Sequence, residues 1–241
     1  MNEHKRIQRV RHEIKMREVT VSAVEQLAPG FVCVTFTGDS LDDFVSASFD
    51  DHVKFVMQDT GGERVMRDYT PRHYDRAART LTIEFALHAQ GQASDWARAA
   101  QVGRPAVIAG PRGSMIIPMD YEWQLLAGDE TALPAIRRRL EELPAGTTGH
   151  VLVSGAAASA LAFDSAANVK LQVEPSAAAV VAALRALTLP AGDGFVWYAG
   201  EAALAKQVRD IVFVEKGFSR DAARISAYWK QGAQGHHEDL S

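Results

Sequence analysis

Cysteine is nearly missing from this sequence: Cys33 is the single one in 241 residues, so no disulfide can close within the chain. Such usage fits a reducing compartment, and the cytoplasm is the expected location. Long apolar runs are also lacking, and none approaches the roughly 20 residues that a membrane-spanning helix needs. The opening stretch, "MNEHKRIQRVRHEIKMREV", is basic but has no apolar segment of the kind a secretory leader carries. It reads as a solvated, mixed-charge arm. Neither sign of charge is in large excess, and a formal net charge of -4 makes no broad electrostatic case for nucleic acid or an anionic membrane. Several motifs are absent: no C-x-x-C, H-E-x-x-H, G-x-S-x-G or Walker loop occurs. "GHHED" near the C-terminus has adjacent histidines without ligand spacing, and reads as a solvated tail rather than a metal site.

What remains is an ordinary globular balance, 47% hydrophobic and 23% charged, on a chain long enough for one large domain or two small ones. The first half reads as strands. "REVTVSAVEQLAPGFVCVTFTG" alternates, turns at Pro29-Gly30 and alternates again. "DHVKFVMQ" and "TLTIEFALH" repeat the pattern, "DTGG" (59–62) supplies a turn, and "GRPAVIAGPRGS" adds a short strand closed by glycines. Short strands between Gly, Pro and Asp turns point to an antiparallel barrel or sandwich, and an antiparallel β-barrel is the expected form.

After about residue 118 the rhythm changes. "WQLLAG", "HVLVSG" and "FVWYAG" are buried strands, alternating with helical segments "TALPAIRRRLEEL", "SAAAVVAALRAL" and "EAALAKQVRDIVFVE". That alternation predicts an α/β domain with a parallel sheet. The expected domains are 1–118 and 119–241, joined by "MIIPMDYE". Gly128 and Gly200 each end a strand before a helix, at the carboxyl edge where open α/β sheets bind ligands.

Three segments could carry chemistry. In "RDYTPR" (67–72), alternation puts Arg67 and Tyr69 on one side of a strand. Arginine binds phosphate, tyrosine stacks on a flat ring, and the Thr70 hydroxyl can bond a ring nitrogen. Together these describe a flavin nucleotide, although a surface arginine pair and a core tyrosine explain the six residues alone more plainly. In "HAQGQASDWARAA", Ser94 reads as the N-cap of a helix beginning at Asp95, whose free N–H groups suit a pyrophosphate. His88 alone reads as structural. In "AGDETALPAIRRRLEEL", Asp129, Glu130 and Thr131 open a helix without a G-x-G-x-x-G fingerprint, and two carboxylates there argue against a nicotinamide pyrophosphate of the usual kind. Arg137, Arg138 and Arg139 could contact a 2′-phosphate, but a charge run on a helix reads first as a solvated face.

In order along the chain, "DDHVKF", "RDYTPR", "EFALHAQGQASDWA", "GPRGS", "LLAGDETALPAI", "WYAGEA" and "AYWKQG" resemble the siderophore-interacting protein family of the ferredoxin–NADP reductase superfamily. The resemblance covers nearly the whole chain. It implies an FAD-binding barrel, a nucleotide-binding-like α/β domain and reduction of ferric siderophores to release Fe(II). Carried over by residue, it implies that Arg67 binds FAD phosphate, Tyr69 stacks on the isoalloxazine and Thr70 reaches its N5 region. His88, Ala93 and Ser94 would line the diphosphate and ribityl part, and Thr131 would lie beside the flavin. Lys54 and Lys230 would attract the anionic ferric siderophore, forming a positive spot in an otherwise acidic protein. The flavin carries the redox chemistry, so no catalytic side chain is expected. NAD(P)H is the expected donor, since the chain ends about a dozen residues after Trp229 as in the branch that uses it; reduced ferredoxin is the alternative. A binding protein for flavin or a ferric chelate, or a flavoprotein serving another acceptor, are the other readings.

Overall fold

The computed structural model describes residues 6–58, 61–89, 91–233 and 238–240. They form two compact units, one of Arg9–Ile116 and one that begins at Ile117 and also takes in the segment up to Gln8. Among the described residues no helix is long and apolar enough to cross a membrane.

The first unit contains β1 (Gln8–Arg11), β2 (Met16–Ala28), β3 (Phe31–Thr37), β4 (Val53–Gln58), β5 (Arg64–Tyr69), β6 (His73–Asp75), β7 (Thr80–Ala86), α1 (Gln92–Arg98), β8 (Pro105–Ala109) and β9 (Gly113–Ile116). Seven strands make one antiparallel sheet in the order β5-β4-β8-β2-β3-β7-β6, and β1 pairs with β9 apart from it. The sheet curls until its ends meet, as expected of a barrel. β5 runs through residues 70–72 into β6, Arg72 N–H donates to the Thr82 carbonyl at 2.9 Å, and the Tyr69 ring lies 4.4 Å from Phe85 of β7.

Alternation decides what fills the barrel. Val53, Phe55 and Met57 of β4 point inward, joined by Val34, Phe36, Leu81, Ile83 and Phe85, all buried. Each such side chain contributes about 1.5–3 kcal/mol of burial, set against the entropy of ordering the chain. Trp96 of α1 meets the same core edge-on, 4.6 Å from Phe55, and this contact docks the helix. The helix begins earlier than its sequence suggests. Gly91, at φ 142, is the N-cap, and Asp95 N–H already donates to the Gly91 carbonyl. The glycine takes a backbone conformation closed to Ser94, so the serine sits inside the first turn instead.

The second unit contains β10 (Trp123–Gly128), α2 (Leu133–Glu142), β11 (Thr148–Ser154), β12 (Asn168–Glu174), α3 (Ala177–Ala186), β13 (Gly194–Glu201), α4 (Ala202–Asp210), β14 (Ala223–Trp229) and β15 (Glu238–Asp239). Its sheet runs β12-β11-β10-β13-β14-β15, parallel except for β15. All six residues of the central strand β10 are buried, as a strand covered on both faces requires. α3 and α4 pack on Leu125, Ala127, Val196 and Tyr198. On the other side of β10, Gln124 accepts from Arg139 of α2. Pro134 fits the first turn of α2, where its missing N–H leaves no bond unmade.

The chain leaves β10 toward β11 and β12, then returns on the other side of β10 as β13. The carboxyl ends of β10 and β13 therefore form the topological switch point of this sheet, the usual ligand crevice of such folds. A Cβ on Gly128 would sit 2.3 Å from the Ala199 carbonyl and 2.5 Å from Ala132 Cβ. Glycine alone allows that close approach.

Some elements differ from the sequence expectation. β12 was not expected: it is the sheet edge, mostly exposed, so it carries no clean apolar pattern. β15 adds a short strand beyond Trp229. α4 ends at Asp210 and widens into a π turn over Ile211–Glu215. The basic arm is anchored at Arg6, which pairs with Asp120 and Asp193 and lies over the Tyr121 ring at 4.2 Å. Asp59 and Thr60 of the expected turn, and His236 and His237 of the tail, lie outside the described residues.

Candidate functional site

The two arginines of "RDYTPR" have different surroundings. Arg72 is buried, its Nε 3.2 Å from Glu84 Oε1, itself only 4% exposed, and alternation along β7 puts Glu84 on the face opposite the inward Ile83 and Phe85. Arg67 is half-buried and donates to the Met66 carbonyl at 2.9 Å. The register sets Arg67 opposite Phe55 and Tyr69 opposite Val53, on the core side of the β4–β5 ladder. Tyr69 accordingly packs against Phe85 and edge-on against Phe55, 6.1 Å away, and burial raises its phenol pKa well above the ordinary value. The ring is nonetheless partly exposed, and Thr70 beside it is 6% exposed.

α1 faces the same rings. Phe55 and Phe85 contact Tyr69 on one hand and Trp96 on the other, so the core brings the end of β5 and the α1 loop to one end of the barrel. His88 is exposed, and its N–H donates to Ser94 Oγ at 3.0 Å. Ser94 thus pins the loop instead of capping the helix and still has its own hydroxyl proton to donate. Ala93 and Ser94 are buried. Gln92, which the sequence did not single out, has a side-chain oxygen that is buried without a donor.

In the second unit the acidic turn points into its own loop. Asp129 Oδ1 accepts from Thr131 N–H at 2.9 Å and from the Thr131 hydroxyl, while Oδ2 accepts from Trp229 Nε1 at 2.9 Å. Burial pushes this carboxyl up, and the donors from Thr131, Trp229 and the Glu201 backbone pull it back only in part. Glu130 Oε1 accepts from Ala157 N–H at 3.1 Å. Both carboxylates of the turn are held by groups of their own unit. One aspartate ties Thr131 to Trp229, the neighbour of exposed Lys230, a link between residues 100 apart in sequence.

The solvated-face reading of Arg137–Arg139 is corrected. Arg139 is 2% exposed, donating from Nε to Gln124 Oε1 at 2.9 Å and from a terminal nitrogen to the Pro118 carbonyl. Burial lowers its pKa to about 10. Arg138 is buried against Glu142, and Arg137 donates to the Ala162 carbonyl. Arg139 holds α2 to the sheet. Lys54 does not present an isolated positive charge. Its Nζ lies 2.7 Å from Asp68 Oδ1 and 2.8 Å from Oδ2, on the ladder face opposite Tyr69.

At one end of the barrel stand a guanidinium, a partly exposed ring, two hydroxyls and an orphan amide oxygen. That donor and acceptor set fits a flavin nucleotide, which offers phosphates, a flat ring and ribityl hydroxyls. The profile of the siderophore-interacting FAD-binding domain matches residues 20–65 and 59–115, and that of the siderophore-interacting protein matches residues 121–232. The chain belongs to the siderophore-interacting protein family. Its cofactor is FAD. The NADPH-dependent ferric-chelate reductase of Escherichia coli K12 is 35% identical over 92% of this chain and 96% of that protein. The ferric vibriobactin reductase of Vibrio cholerae is 28% identical over 86% of this chain and 87% of its own length. The crystal structure of a siderophore utilization protein from T. fusca superposes with a TM-score of 0.87 at 30% identity, covering 95% of this chain and 98% of that one.

Proposed function

We propose that this chain is an FAD-dependent ferric-siderophore reductase that takes electrons from NADPH and releases Fe(II) in the cytoplasm. The observation that carries the reading is the similarity to the E. coli ferric-chelate reductase, which runs through both units. NADPH is the donor in that protein's name, and the ferredoxin alternative finds no support among these relatives. FAD, when bound, would supply a centre that takes up a hydride's electron pair and releases electrons singly, so that one NADPH would balance two Fe(III).

The residues are assigned as follows. Arg67 holds a phosphate of FAD, Tyr69 stacks on its ring and Thr70 bonds near N5. The His88 loop with Ala93 and Ser94 lines the diphosphate and ribityl chain. Thr131, fixed by Asp129, lies beside the flavin. Lys54 and Lys230 attract the anionic chelate and take no part in electron transfer.

Tyr69→Ala should raise the dissociation constant for FAD about three- to tenfold, the worth of a lost aromatic stack. It should also cost about 2–3 kcal/mol of stability, because the ring packs on Phe85 and Phe55. Titration with FAD and urea unfolding measure the two separately. An unchanged flavin affinity and absorption envelope would show that Tyr69 does not touch the ring.

Trapping Fe(II) with a chromogenic ligand tests function and lysines together. Wild type should reduce a ferric tris-catecholate with NADPH. The Lys54→Ala/Lys230→Ala variant should raise its KM about tenfold at low salt and flatten the salt dependence of kcat/KM, since steering is screened over roughly 8–10 Å. Flavin reduction by NADPH should stay nearly the same. No Fe(II) from wild type would sink the reductase reading, whereas a double variant that matches wild type at every salt concentration would remove only the lysines.

A further inference from the structure

We propose that Asp68 is a specificity-determining residue: its carboxylate offsets Lys54 and biases the site against the most negatively charged ferric chelates. The inference rests on the reductase reading and on Lys54 as a chelate contact. The β4–β5 register puts the two residues directly opposite each other, and both carboxylate oxygens lie within 2.8 Å of Nζ. The lysine side chain is 44% exposed and the aspartate 18%, so the ammonium is the wet end of the pair and the carboxylate its backing.

Across the ladder and toward Met66 the surroundings add no charge to these two groups, while His52 lies two residues before Lys54. On its other side Lys54 is paired with Ala109 of β8, which brings no charge. The next outward pair along the ladder, Val56 and Met66, is apolar. A chelate reaching Lys54 therefore meets a pair with almost no net charge. A trianion must either draw the ammonium away from Asp68 or bind with that carboxylate close by. A neutral chelate meets neither cost, so Asp68 discriminates by charge.

The test uses the FAD-loaded enzyme with a trianionic ferric tris-catecholate and a neutral ferric tris-hydroxamate. Asp68→Asn keeps the shape and removes the charge. It should lower KM for the trianion about three- to tenfold at low salt, by Coulomb's law over several ångströms of partly screened solvent. KM for the neutral chelate should change less than about twofold and kcat should hold. Asp68→Glu should behave like wild type, and Asp68→Ser repeats the test if the asparagine variant fails to fold. Equal shifts for both chelates, a higher KM for the trianion, or no shift at all would overturn the proposal. Lys54→Gln separates the layers. If it raises the trianion's KM while Asp68→Asn does nothing, only the role of Asp68 is lost. If Lys54→Gln changes nothing in an enzyme that turns over, Lys54 is not a chelate contact and the inference falls with it.

Discussion

Asp129→Ala should lower Tm by roughly 10 °C and impair turnover in whatever protein remains folded. The carboxylate receives two bonds from Thr131, one from the Trp229 indole and one from the Glu201 backbone, in a site nearly closed to water. Alanine would leave these donors without their acceptor, at about 1–3 kcal/mol for each that water cannot reach. A total near 3–4 kcal/mol corresponds to the stated shift at about 2–4 °C per kcal/mol for a chain of this size. Asp129→Asn should fall in between, since its oxygen can still serve Thr131 while its NH2 faces the Trp229 N–H. The pH dependence adds a second readout. Burial raises this carboxyl above its ordinary 3.8, so the folded state binds the proton more tightly than the unfolded one. Stability from this group is fully present below 3.8 and is lost as pH rises through the raised value. Both variants should lack that fall. A Tm within about 2 °C of wild type for the alanine variant would mean that Asp129 does not bind the loop to Trp229.

Arg139→Ala is expected to cost about 3–5 kcal/mol, as removal of one partner from a buried charged network does. Its guanidinium is the hinge between α2, Gln124 of the central strand and the Pro118 carbonyl, with Glu142 Oε2 at 3.7 Å from a terminal nitrogen. Deletion leaves a cavity and unpaired acceptors in the middle of the second unit. Arg137→Ala, at a half-buried position where the side chain donates to the Ala162 carbonyl, should cost under about 1 kcal/mol. Neither change should move KM for NADPH by more than about twofold where the protein folds. Equal stability losses for the two variants would contradict the assignment of Arg139 to the core. A large rise in KM for NADPH with little loss of stability would instead make it a phosphate contact.

The barrel and the α/β unit were legible because each strand that packs against a core must show its period. β4 reads V-K-F-V-M with Val53, Phe55 and Met57 inward, and β10 is buried throughout and apolar but for Gln124, because helices cover both faces. β12 was illegible for the complementary reason: an edge strand with little burial has no pattern to show. The three arginines of α2 misled because charge in a sequence suggests water, whereas Gln124 and Pro118 supply acceptors that only the folded sheet brings near. The site divides the same way. Arg67, Tyr69 and Thr70 lie in one short run whose residue types suggest a flavin nucleotide, although alone they read more plainly as a surface arginine pair and a core tyrosine. Asp68 sits in that run too, yet its meaning depends on the register that puts it opposite Lys54, 14 residues earlier. The Asp129–Trp229 bond joins residues 100 apart, and only the parallel order of β10, β13 and β14 brings them together.

On the proposed reading, electrons pass from NADPH to Fe(III) through the bound flavin. Anaerobic double-mixing stopped-flow measures this directly. NADPH is first added to the FAD-loaded protein at one equivalent, and a ferric tris-catecholate is then added with a chromogenic Fe(II) trap. The oxidised flavin band should bleach in the first mix. In the second, the band should return in step with the Fe(II) signal, at two Fe(II) per NADPH. Fe(II) appearing while the flavin stays oxidised, or a bleached flavin that the ferric chelate does not reoxidise, would contradict it.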